Sequence, residues 1–415
     1  MKFEALPAHK GDCLLLHFGT ASNPRLAIID GGPSNTWRPA LKPRLEALKA
    51  ERDLDASEPL PIDWLVVSHI DDDHIKGVLE LTEELTAAQE QNEPLPYALS
   101  SIWHNSFADL LETRPEQLEA SVAAQFGAAG TAEIAVDLYP RLTLDAAKVL
   151  AGIPQGRKLR DDIRKLRLSL NKPFPRVVML DPASERKTLF GPKGAQGISV
   201  RVLGPLKPQL EQLRIKHKQY LQKRRKTPAD PESALAAFTD TSATNLSSIV
   251  TEVSSGGHKV LLTGDARGDF ILEGLNSCGL LKAGAPYVVD ILKVPHHGSD
   301  RNMTQKFFEC VHATHYVFSG NGRHGNPERQ TLQMLFDARR KHPTRFKIWL
   351  TYSVKEIDVT REAEWERERK KHRKLRAWNA EKDCLGHFFE TMRAAGVPFD
   401  LVDQGPVQIS LEGEG

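Results

Sequence analysis

Apolar residues fall in short runs bounded by Gly, Asn and Pro over the first part of the chain and again over its last half, which predicts strands. "CLLLHFG" and "RLAIIDGG" are two such runs, joined by the turn signal "TASNP". "WLVV", Trp64 to Val67, reads as a buried strand with Ser68 opening the loop beyond it. From Leu79 to Pro175 the apolar positions take helical spacing in Ala-rich sequence, so that region is expected to be mostly helix. Strands resume at "RVVML" and "ISVRVLG", and the charged helix "LEQLRIKHKQYLQKRRK" leaves the core as an excursion. "SSIVTEV" and "KVLLTGDA" form a hairpin about "SSGGH". A helix near Phe270 to Leu281, the strand "YVVDILKV", the strand "THYVFSG", the helix "ERQTLQMLFDARRK" and the strand "FKIWLTYS" follow. A charged helix over Arg361 to Glu381 precedes the closing strand "GPVQISL". Strands mixed with helices in this way predict a layered α/β fold.

Composition alters that picture little. With 415 residues and 40% hydrophobic content the chain buries a full core, and a net charge of +2 gives no overall bias toward polyanions. The bias is local: "RKLRDDIRKLRLSLNK", "RIKHKQYLQKRRK" and "RERKKHRKLRAW" concentrate Lys and Arg. Such runs suit a phosphate backbone, although a solvated helix face with paired charges has the same composition. No leader-like or membrane-spanning apolar segment stands out, so the expected compartment is the cytoplasm and no membrane contact is expected. Cys13, Cys278, Cys310 and Cys384 include no C-x-x-C pair, so a metal here must use His and carboxylates.

Candidate chemistry gathers at strand ends. Asp30 closes one apolar run, "SHIDDDH" closes the next, Asp265 ends "VLLTG", and His296 and His297 follow "DILKVP". Asp71, Asp72 and Asp73 repel one another, and holding them at the mouth of a core strand is costly unless a cation compensates. Each residue alone has a plainer reading: Asp30 and Asp265 as turn formers, Asp71 to Asp73 as helix caps, the histidine pair as core. Ligands of α/β folds sit where strand ends converge, and four such ends sharing one sheet edge make a metal site.

The segment "SHIDDDHIKG" resembles the H-x-H-x-D-H metal signature of the metallo-β-lactamase fold, with aspartate at the second histidine. "NLSSIVTEV", "KVLLTGDA", "DILKVPHHGSDRN" and "YVFSGNGRHGNPERQTLQML" follow the order of the soluble hydrolase domain of the DNA-uptake protein ComEC and its stand-alone relatives, and "GDCLLLHFG" with "LAIIDGG" is similar to that family's first hairpin. The resemblance implies one αββα sandwich over residues 1–415. Outside it lie a helical insertion at about 79–175, a basic excursion at about 209–232 and the charged helix at about 361–381. It also implies two divalent metals, zinc or manganese with magnesium as an option. His69 and Asp71 would hold the first, Asp73 and His74 the second, and Asp265 would bridge them. One of His296 and His297 completes the second site; His297 is favoured as ligand and His296 as its outward, substrate-facing partner. His104 in "SIWHNS" is the candidate third ligand of the first metal, with His324 as rival or phosphate contact. Asp30 and Asn245 would support the ligands from behind.

The implied reaction is hydrolysis by a hydroxide held between the two metals. A carboxylate at Asp71 in place of imidazole shifts preference from zinc toward manganese or magnesium. Asp73 and Asp265 would act at the reacting centre, His296 at the leaving oxygen, and Ser299 with the amides of "HHGS" at a non-bridging oxygen. This set suits a phosphodiesterase or nuclease with DNA or RNA as substrate, contacted by Lys223, Arg224, Arg225 and Lys226. The alternatives are a hydrolase of a small ester, lactone or phosphorylcholine-like group, and a non-catalytic partner-binding module.

Overall fold

The computed structural model describes residues 1–55, 57–111, 144–183, 189–190, 198–212, 214–215, 247–342, 344–371 and 375–411. The strands are β1 (Lys2–Ala5), β2 (Leu14–Thr20), β3 (Asn23–Ile29), β4 (Leu60–Ile62), β5 (Trp64–Val67), β6 (Tyr97–Leu99), β7 (Ser101–His104), β8 (Ser169–Leu170), β9 (Leu189–Phe190), β10 (Ile198–Gly204), β11 (Val250–Ser255), β12 (His258–Leu262), β13 (Tyr287–Lys293), β14 (Val311–Phe318), β15 (Phe346–Leu350), β16 (Phe399–Val402) and β17 (Val407–Ser410). One sheet runs in the order β17-β1-β2-β3-β5-β7-β8 and the other β16-β15-β14-β13-β12-β11-β10-β9, while β4 and β6 pair apart. This is a mixed α/β fold of the metallo-β-lactamase kind, two sheets with helices outside each.

The layering explains why so many strands read as unbroken apolar runs. In β2, Leu14, Leu16 and Phe18 face the second sheet, while Leu15 faces the helices Lys42–Glu51 and Asp72–Glu90. Trp64 and Val66 of β5 point inward, and Leu65 and Val67 outward. The second sheet repeats the scheme: Val260 and Ile291 meet the first sheet, and Leu261 and Leu292 meet helices that include Gly268–Ser277 and Arg329–Arg340. A strand buried on both faces has no polar positions to alternate with. Trp64 and Trp103 meet edge to face across β5 and β7 at 4.8 Å between centroids, worth about 0.5–1.5 kcal/mol beyond the area they bury.

Three expectations need correction. The stretch 79–175 is not simply a helical insertion: it contributes β7 and β8 to the first sheet, with Val67 of β5 paired beside His104. These strands are four and two residues long, too short to show a period in sequence. "RVVML" forms no strand, only an isolated bridge from Leu180 to Leu206. The charged helix begins earlier than expected and spans Val354–Lys371, because Ile357 anchors its first turn in the core. Most of the basic excursion, including Lys223, Arg224, Arg225 and Lys226, lies outside the described residues, as does Asn245. Among the described residues no helix is long and apolar enough to cross a membrane.

Candidate metal centre

The carboxyl ends of β3, β5, β12 and β13 deliver Asp30, His69, Asp265 and the histidine pair to one place. The segment after β5 turns directly into the helix Asp72–Glu90, which carries Asp73 and His74 on its first turn. That helix approaches very closely: a Cβ on Gly77 would lie 2.0 Å from Gly31 O, so only glycine allows the helix to rest on the Asp30 turn. Asp71 is the N-cap residue, yet its side chain makes no capping bond, and its Oδ1 is buried without a hydrogen bond. The capping explanation for that carboxylate therefore does not hold. Asp30, His296 and His297 take positive φ values of 61°, 49° and 53°, a strain of about 1–3 kcal/mol each, which aims these short segments into the site.

Asp265 stands at the centre, with each of its oxygens facing a different pair of imidazoles. Oδ2 lies 3.5 Å from His69 Nε2 and 3.5 Å from His296 Nε2. Oδ1 lies 3.3 Å from His74 Nε2 and 3.5 Å from His297 Nε2. Asp71 Oδ2 is 3.6 Å from His69 Nε2, and Asp73 Oδ1 is 4.0 Å from His74 Nε2. Ligand atoms about 2.0–2.1 Å from one tetrahedral cation are roughly 3.3–3.4 Å from one another. The four contacts of Asp265, at 3.3 to 3.5 Å, are thus long for hydrogen bonds and right for atoms sharing an ion, and those of Asp71 and Asp73 are somewhat longer.

The far sides of the rings indicate which nitrogen a cation would take. His74 Nδ1 is 2.8 Å from Asp30 Oδ2, and the Ser68 hydroxyl donates to the same oxygen at 2.7 Å. Ser68 Oγ is in turn 3.1 Å from His69 Nδ1, so with its proton committed to Asp30 it accepts from His69. His297 Nδ1 is 2.9 Å from Ser319 Oγ. Each ring uses Nδ1–H outward, leaving Nε2 of His69, His74 and His297 buried without a hydrogen bond. Carboxylates or hydroxyls behind metal-ligating histidines do this in general. The backbone of Asp265 is held independently, its amide by Ser248 Oγ at 3.2 Å and its carbonyl by Asn302 Nδ2 at 3.0 Å.

Charge makes the same demand. Burial alone would raise the Asp265 carboxyl, but His296, His74, His297 and His69 pull it well below the usual carboxylate range. Burial and His74 depress His69, while Asp265 and Asp71 outweigh them and hold it up at about 9. A cluster that draws protons in this way suits divalent cations, whose binding would displace those protons. His69, His74 and Asp265 form one group able to hold an ion, and Asp73, His74 and His297 another.

Other expected residues fall elsewhere. His104 ends β7 but is absent from these groups: its ring lies beside Gly156, and burial pushes it down to about 4. His296, expected to face substrate, is the more exposed of the pair, 13% against 2% for His297, and also points Nε2 at the same Asp265 oxygen as His69. The amide of Ser299 is spent on His296 O at 2.9 Å and that of His296 on Gly264 O at 3.1 Å, so neither is available to a substrate oxygen. His324 sits on a half-buried loop whose amide is held by Glu364. Sequence reasoning passed over Asp12, Lys293, Ser68 and Ser319. Asp12 directly before the apolar run "CLLL", and Lys293 as the charge within "ILKV", were the visible signals.

Residues 15–152 match the model of the metallo-beta-lactamase superfamily. Microtubule-associated protein 1A of Mus musculus is 31% identical over 115 residues, covering 27% of this chain and 4% of that protein. The Homo sapiens protein is 33% identical over 81 residues, 19% of this chain and 3% of its own length. The chain therefore matches only a small fraction of these curated relatives. Among solved structures, zinc-bound PqqB from Methylobacterium extorquens aligns over 99% of this chain and 100% of its own at 11% identity, with a TM-score of 0.37. A beta-lactamase domain protein from Burkholderia ambifaria aligns over 94% and 85% at 12% identity, with a TM-score of 0.28.

Proposed function

From the premise that this chain carries a metallo-beta-lactamase superfamily domain, we propose that it is a metal-dependent hydrolase of phosphodiesters, with DNA or RNA as its substrate. The observation that carries the metal part is Asp265, whose two oxygens each face a pair of imidazole Nε2 atoms. In this reading His69, Asp71, His296 and Asp265 would hold one cation, and Asp73, His74, His297 and Asp265 the other; His74 Nε2, which also lies close enough to His69 and Asp265 to share an ion with them, is assigned to the second by its approach to Asp73 and His297. His296 takes the place first given to His104. Two divalent cations would supply Lewis acidity toward a phosphoryl oxygen and acidify a shared water. The chain's own part is to fix that geometry. Asp30 and Ser68 orient His74 and His69, and of the proposed ligands all but His296 are buried. The hard oxygen of Asp71 favours manganese or magnesium over zinc.

Polynucleotide is preferred over a small ester because basic charge is segregated in a chain whose net charge is only +2, the run from Arg214 to Lys226 above all, and because the motif order resembles the hydrolase domain of ComEC. The test is purified protein with manganese, magnesium or zinc against bis-p-nitrophenyl phosphate, single- and double-stranded DNA and RNA, and a carboxylic ester. Metal-dependent cleavage of the phosphodiesters is expected. Cleavage of the ester alone would transfer the site to small esters or lactones, and no turnover with metal bound would leave a partner-binding module.

A further inference from the structure

We infer that Ser319, Asp12 and Lys293 are positioning residues that hold His297 as its Nδ1–H tautomer, so that its Nε2 lone pair is already aimed at a cation in the second ligand group. The inference rests on the metal site proposed above and adds residues outside its sequence motifs; Asp12 also lies within ligand distance of Asp30 and His74 and of Asp265 and His297, and its contacts with Ser319 and Lys293 assign it here to the support of His297. Its geometry is a directed chain. The Ser319 hydroxyl donates to Asp12 Oδ1, so Ser319 Oγ, 2.9 Å from His297 Nδ1, accepts the imidazole proton. Asp12 Oδ1 itself lies 3.2 Å from the same nitrogen. Asp12 Oδ2 is 2.7 Å from Lys293 Nζ, an ammonium with no exposure to solvent, which also donates to Val294 O at 3.0 Å.

A fully buried ammonium is expensive unless paired, and a bare one here would repel a nearby cation. Pairing with Asp12 offsets both costs and pins the carboxylate that accepts the Ser319 hydrogen bond. The three residues come from the loop before β2, the last position of β13 and the residue after β14, so the relay also ties the first sheet's edge to the second at the ligand. His74 has a comparable but simpler device in Asp30, which reaches Nδ1 directly.

The test separates the relay from the metal reading. In metal-free protein carrying 15N-histidine, at a pH high enough to leave the ring neutral, long-range 1H–15N spectra should place His297 in the Nδ1–H form, and Ser319→Ala and Asp12→Asn should shift it to a tautomer mixture. If Asp12→Asn does not fold because Lys293 is left unpaired, the double variant Asp12→Asn with Lys293→Met restores the charge balance and serves instead. Titration with Co2+, followed by its visible absorption, should then show one of two binding steps weakened about 10- to 100-fold and the other unchanged. Unaltered His297 tautomer and unaltered Co2+ affinity in these variants would overturn the relay. Wild-type protein that takes up no Co2+ would overturn the metal site instead.

Discussion

Asp265 is anchored through its backbone by Ser248 and Asn302, while its side chain is committed wholly to the four histidines. Fold and chemistry are therefore separable at this residue. Asp265→Ala should melt cooperatively with the wild-type circular dichroism spectrum yet lose hydrolysis by more than about 10²-fold, since residues merely behind ligands cost 10–100-fold. Undiminished turnover at saturating metal would end the two-cation reading. The same residue-level logic explains how two neighbouring histidines both reach Asp265. Successive left-handed conformations at His296 and His297 turn both rings toward Asp265, one to each oxygen, where an extended backbone would send them to opposite sides.

At the scale of elements, the helix Asp72–Glu90 is positioned by absence of side chains. Gly77→Ala would drive a methyl into Gly31 O, and overpacking of this kind costs about 1–3 kcal/mol. Because the displaced first turn carries Asp73 and His74, cation affinity should fall together with the melting temperature; a loss of stability at constant affinity would show that the site tolerates the shift. The strand β1 offers a pH-dependent case. Glu4 is fully buried and meets Lys2 at 2.8 Å, His17 at 3.0 Å and Arg44 at 2.8 Å. Burial would raise its carboxyl, but hydrogen bonds from His17, Arg44 and Lys2 hold it well below the usual range. A carboxyl lowered in the folded state adds stability that is present above its ordinary pKa of 4.5 and is lost as pH falls toward the folded value. Glu4→Gln, which removes the buried carboxylate shared by Lys2, His17 and Arg44, should cost about 3–5 kcal/mol at pH 7 in urea titrations, and the difference from wild type should shrink below about pH 4.5.

For the whole molecule, the site is the seam between the sheets: ligands arrive from β5 of one and β12 and β13 of the other. A cation held there by residues of both sheets would cross-link the two halves and bind the native state alone. Chelation should therefore lower the melting temperature, and free manganese at a hundredfold its dissociation constant should add back about 2.7 kcal/mol. Calorimetric scans with and without chelator measure this directly, and a melting temperature indifferent to metal would mean that no cation bridges the seam.

Local sequence determined a good deal of this. Apolar runs placed β2, β3, β5 and β11 to β15, and charged residues at four strand ends announced a candidate metal centre, because strand period, turn chemistry and ligand type are written within a few adjacent positions. Tertiary structure decided the rest. Strands as short as β7 and β8 exist because a neighbouring strand pairs with them, a long-range condition no local pattern contains. That His296 and not His104 points at Asp265 depends on backbone dihedrals after β13 and on the path of β7. Asp12, Lys293 and Ser319 stand 12, 293 and 319 residues along the chain and look ordinary there. They become one relay only when two sheets meet, since hydrogen bonds act over about 3 Å in space whatever the separation in sequence.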